Sequence, residues 1–202
     1  MILKGFNQYI FENSDSSDPS SLKYSSDVIN ILKQYSDPSD EYIELRELEY
    51  TEPHSFDLVI QLKISNNPNF KTDSHFKNLQ WEEINYKKYG FAIDGNTILD
   101  KSELIVPEIV ITLIIDPDTI PTVYDELKLR LVDIISHEYK HTNQVGWNRE
   151  PFNVRPSSHY NRESSKRSFK YFILPDKVEA YVYGMYTRSK IENEYIDKIF
   201  DN

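Results

Sequence analysis

His137, Glu138 and His141 stand together in the stretch HEYKH, and their types and spacing are those of a metal site with a base beside it. On a helix, residues four apart share a face with Cβ atoms about 6 Å apart, so the two imidazoles can hold one divalent ion. Glu138 falls about 100° round from His137, within reach of a water on that ion without ligating the ion itself. Such a layout serves metal-assisted hydrolysis. The competing reading is two unrelated histidines. It explains poorly why two of only five in 202 residues lie four apart with a Glu directly after the first.

Positioning this trio requires a helix, and the sequence supplies one. Over 121–143, Val123, Leu127, Leu131, Ile134, Ile135 and Tyr139 follow helical spacing while most charged residues fall elsewhere. Asp118 or Thr119 can cap its start, Pro121 suits a first turn, and Gly146 suits the C-terminal cap. A second helix opens at Pro175 and Asp176 and carries Val178, Tyr181, Val182, Met185 and Tyr186. Glu179 shares a side of it with Val182, Tyr183 and Tyr186, and a carboxylate on an apolar stripe is costly to bury unless paired or bound to metal.

Upstream, the patterning is strand-rich. Residues 41–50 and 56–65 alternate around a TEPHS turn and predict a hairpin. A further pair, 89–93 and 97–99, flanks Asp94-Gly95-Asn96, a tight-turn signal, and 106–116 is the most strand-like run of all. Asp27 caps an expected short helix over 28–34. Before it, the Ser- and Asp-rich segment 12–26 reads as a flexible linker, so residues 1–26 are expected to form an extension to a single domain over 27–202. The stretch 147–172 has no clear periodicity and reads as a loop that covers the cleft.

Composition bounds the function. At 39% hydrophobic and 13% aromatic, 202 residues can bury one good core. With no cysteine there is no disulfide framework and no thiol chemistry. The expected location is cytoplasmic, because neither a signal-peptide core nor a run of apolar residues long enough for a membrane helix is visible. A net charge of −10, from 33 acidic against 23 basic residues, repels phosphate backbones and argues against nucleic acid as a partner. Asn-, Ile-, Lys- and Tyr-rich usage fits an AT-rich genome, viral or phage in origin.

A catalytic zinc normally takes three protein ligands and leaves a fourth position to water. The metzincin continuation of the motif would need glycine and histidine at positions occupied here by Gln144 and Trp147. Over about residues 106–190 the chain instead resembles the gluzincin branch of the zincin metallopeptidases, in particular small phage- and bacterium-associated members. The resemblance implies one Zn2+ held by His137, His141 and Glu179, with Glu138 as general base acting on a peptide or protein substrate. It also implies an α+β, zincin-like fold in which a mixed or antiparallel sheet sets an edge strand, one among residues 89–116, above the active-site helix. A C-terminal helical part would follow, carrying the third ligand.

Rivals for the third ligand are His159, Glu150 and Glu163 in the intervening segment. Tyr183 stands where thermolysin-like members carry the carboxylate that orients a ligating histidine, leaving Asp133 or a backbone carbonyl for that task. His159, Tyr160, Arg162 and Tyr183 are candidates for donating to an oxyanion. The alternative function is a zinc-binding interaction module without catalysis.

Overall fold

A computed structural model describes residues 19–35, 37–50, 56–70, 73–76, 79–98, 106–143, 175–196 and 198. The element order is α1 (Pro19–Leu32), β1 (Ser39–Tyr50), β2 (Phe56–Ile64), α2 (Leu79–Tyr89), β3 (Phe91–Ile98), β4 (Glu108–Ile115), α3 (Ile120–Asn143) and α4 (Pro175–Glu192). The fold is α+β. One four-stranded mixed sheet runs β1-β2-β4-β3. β1 and β2 form the expected antiparallel hairpin, β2 and β4 are parallel, and β3 returns antiparallel to β4 as an edge strand.

Strand alternation divides the apolar side chains between the two faces. Phe56, Leu58, Ile60 and Leu62 of β2, Ile109, Ile111 and Leu113 of β4, and Phe91 and Ile93 of β3 form the main core with α1 and α3. Leu127, Leu131 and Ile135 of α3 are fully buried there, one helical turn after another, as their spacing predicts. On the other face, Ala92 and Ile114 meet Phe70 and Phe76 in a smaller cluster. With both faces covered, β4 is buried along nearly its whole length, which explains its unbroken run of apolar residues.

Three sequence expectations need correction. Residues 19–26, read as linker, belong to α1, and the short helix expected over 28–34 is the end of that longer helix. Tyr24, Val28, Ile29 and Leu32 bury its inner face, while the hydroxyls of Ser25 and Ser26 bond back to the Leu22 carbonyl at 3.0 and 2.6 Å. Ser25 and Ser26 therefore find partners within the helix instead of breaking it. The Ser21 hydroxyl also lies 2.8 Å from that of Ser136, tying α1 to α3.

Asp94-Gly95-Asn96 is not a turn but the middle of the continuous strand β3, paired with Thr112, Ile111 and Val110. Glycine is there for clearance: a Cβ on Gly95 would lie 2.5 Å from Ile134 Cγ2 and 2.9 Å from Glu138 Cγ. The close approach of α3 to this strand, not a reversal of the chain, selects the residue.

Helix α2 was not anticipated, and its pattern explains why. Ile84 is half exposed while Glu82 is buried, the reverse of an amphipathic stripe. Glu82 is held by its task, accepting a hydrogen bond from the Ile93 amide at 3.2 Å on the outer edge of β3. Among the described residues no helix is long and apolar enough to cross a membrane.

Candidate functional site

The last turns of α3 carry His137, Glu138 and His141, all buried, against the edge strand β3. The two imidazoles share a face, with ring centroids 4.9 Å apart and planes at 84°. Glu138 Oε1 is 3.8 Å from His137 Nε2, too long for a hydrogen bond. Its other oxygen, Oε2, lies 2.7 Å from the Thr97 hydroxyl of β3, and the same hydroxyl is 2.8 Å from the Glu138 carbonyl. Strand and helix are thus joined at the residue the sequence marks as base.

Helix α4 closes the other side, antiparallel to α3. Lys177 Nζ is 2.9 Å from His141 Nε2, and Tyr181 sets its ring edge-on to His137 with centroids 4.3 Å apart. A turn further on, Gly184 meets Asp133, and then Arg188 comes 3.9 Å from Glu126. A Cβ at Gly184 would lie 2.4 Å from Asp133 Oδ1 and 2.6 Å from the Asp133 carbonyl oxygen, so the two backbones approach too closely there for any side chain. Residues 177, 181, 184 and 188 form the face that α4 turns to α3.

Glu179 is on a different side. At 3.6 residues per turn it lies about 160–200° round from Lys177 and Tyr181. Its carboxylate pairs with Lys140 Nζ at 3.0 Å, and Lys140 also lies over the Tyr183 ring at 5.6 Å from the centroid. The structure therefore brings His137, Glu138 and His141 together and leaves Glu179 on the flank. Among the described residues no three His, Cys, Asp or Glu side chains gather as a metal-holding group. His159, Glu150 and Glu163, the candidate donors Tyr160 and Arg162, the expected cap Gly146 and the covering loop 147–172 lie outside the described residues.

The donors present fit zinc. Two imidazole nitrogens with a carboxylate alongside are the ligand types that ion takes. Asp133, considered from sequence as the group orienting a histidine, packs against Gly184 instead; burial lifts its carboxyl to about 6, against the opposing pull of Arg188 and Arg130.

Sequence reasoning missed Thr97, Gly95, Lys177 and Tyr181. Only Gly95 carried a signal, since glycine inside a strand marks a close backbone approach. The others are contacts between elements distant in the chain. No protein-family model, curated protein or solved structure matches the chain significantly.

Proposed function

We propose that this protein is a zinc-dependent metallopeptidase of the zincin type, hydrolysing peptide bonds with Glu138 as general base. One observation carries the reading: His137 and His141 present their rings 4.9 Å apart on one helix face, and the Glu138 carboxylate is anchored beside them by the edge strand. His137 and His141 would hold the ion. Glu179, the third ligand implied by the family resemblance, would join them only by leaving Lys140 and coming round α4.

The chemistry supplied by a zinc ion held there is Lewis-acid polarisation of a carbonyl and acidification of a water. Glu138 Oε1 takes the proton of the attacking water and returns it to the leaving nitrogen, which a carboxylate can do when held within hydrogen-bond reach. Burial of the trio lowers the local dielectric and strengthens each of these interactions.

An extended substrate would lie along β3, the edge strand beside α3, through main-chain pairing. The outward amides of Ile93 and Gly95 are already engaged by Glu82 Oε2 and Asp94 Oδ1, at 3.2 and 3.0 Å. An incoming strand must displace both side chains to pair at these two positions.

The test is Glu138→Gln. The variant should bind zinc as the parent does, measured by elemental analysis after dialysis, and should lose chelator-sensitive cleavage of fluorescein-labelled casein. Cleavage at the parental rate would refute the assignment. A second reading is a zinc-binding module without catalysis; in it, as in the first, an ion on His141 Nε2 must displace Lys177, whose Nζ lies 2.9 Å away. It predicts that zinc displaces Lys177 and that the loaded parent cleaves nothing.

A further inference from the structure

We infer that Gly95 and Thr97 of β3 form a slot that fixes the Glu138 side chain in one rotamer, which makes Thr97 a positioning residue for the base and leaves Oε1 as the working oxygen. The inference rests on the peptidase reading and deepens it.

Residues two apart on a strand point to the same face. On β3 that face is turned to α3, where Gly95 provides the space and Thr97 the hydrogen bond. The absent side chain of Gly95 leaves space that Ile134 Cγ2 and Glu138 share, with Glu138 Cγ and Oε1 2.9 and 3.3 Å from where a Cβ would stand and Ile134 Cγ2 at 2.5 Å forming the wall beside them. Thr97 Oγ1 then meets Glu138 Oε2 at 2.7 Å and the Glu138 main-chain oxygen at 2.8 Å. A hydroxyl has one proton to donate, so it is shared between the carboxylate and the backbone of the same residue. That sharing holds the end of a flexible side chain at a fixed distance from its own main chain.

Glutamate has three rotatable bonds, and a buried carboxylate without a donor would be costly. With Oε2 held, Oε1 is the oxygen turned to His137, 3.8 Å from Nε2. A base that must meet a water at hydrogen-bond distance loses efficiency steeply when displaced, by about a hundredfold for 1 Å.

The experiment compares the full-length parent with Thr97→Val, Thr97→Ala and Thr97→Ser, all loaded with zinc, on fluorescein-labelled casein. Val keeps the shape without the hydroxyl, Ala guards against a packing fault particular to Val, and Ser restores the donor. The expected outcome is a fall in kcat of about ten- to a hundredfold for Val and Ala. KM should stay within about twofold and zinc content should be unchanged, with Ser recovering most of kcat.

A second readout needs no turnover. In metal-free protein carrying carboxyl-13C glutamate, the Glu138 resonance, identified by its loss in Glu138→Gln, should move in Thr97→Val and Thr97→Ala and return in Thr97→Ser. An unmoved resonance, or a parental kcat in both Val and Ala, would overturn the slot. Glu138→Gln keeps the two ideas separate: if it cleaves casein like the parent the peptidase reading fails, whereas a dead Glu138→Gln beside fully active Thr97→Val and Thr97→Ala removes the slot alone.

Discussion

Replacing Glu82 by Gln should stabilise the protein, and the gain should grow with pH. Glu82 is 7% exposed on α2, and its Oε2 accepts the Ile93 amide at 3.2 Å. Burial is the main cause that pushes its carboxyl up to about 8, and Asp94 adds to the rise, while the Ile93 amide, Asn85 and Arg130 pull the other way.

Below the ordinary value of 4.5 the group is protonated in folded and unfolded chains alike, and no stability is lost. Between 4.5 and about 8 the folded protein retains a proton that the unfolded chain has released, so stability falls as pH rises. The gap, at 1.36 kcal/mol per pH unit, amounts to at most about 5 kcal/mol once pH exceeds 8. Gln is neutral at every pH and keeps an acceptor for the Ile93 amide. Urea unfolding of both proteins at pH 5, 7 and 9, in chelator, should show a small difference at pH 5 that widens by several kcal/mol at pH 9. Asp133 also has a raised carboxyl, but it is common to both proteins and cancels in the difference. Parallel pH profiles, with a gap constant to within about 1 kcal/mol, would refute the account of Glu82 as a charge held neutral by burial.

Gly184→Ala should destabilise the pairing of α3 and α4 by about 1–3 kcal/mol, because the added Cβ meets a backbone carbonyl at 2.6 Å that cannot rotate away. Calorimetry should record a melting temperature lower by several degrees, and an unchanged value would mean that the helices are not in this register. Glu179→Ala tests the flank of the site. With its carboxylate on Lys140, its loss should change zinc affinity by less than about threefold, within what an exposed ion pair is worth. A hundredfold loss in competition with a chromogenic chelator would instead place Glu179 on the ion after a rearrangement of α4.

Local pattern was sufficient to find the helix of the histidines, because its apolar spacing and the HEYKH motif obey the same 3.6-residue repeat that builds it. The hairpin of β1 and β2 and the buried strand β4 were legible because each has a period or a bounded apolar run of its own, and helix α4 was marked by the Pro175-Asp176 start signal. Where tertiary contact overrode local preference, the sequence misled. Serines that pass for a linker are helical in α1 because Tyr24, Val28 and Leu32 bury beneath them, and a turn-like Asp-Gly-Asn is straight in β3 because Ile134 and Glu138 lie against its glycine.

Spacing along one helix determined that His137, Glu138 and His141 share a site, since a single rotation per residue fixes all three. Which strand edge covers them, that Thr97 holds the Glu138 carboxylate, and that Lys177 and Tyr181 rather than Glu179 face the imidazoles were decided only by the packing of α4 and β3 around α3. Those relations depend on the relative rotation and register of separate elements, and no local periodicity encodes either.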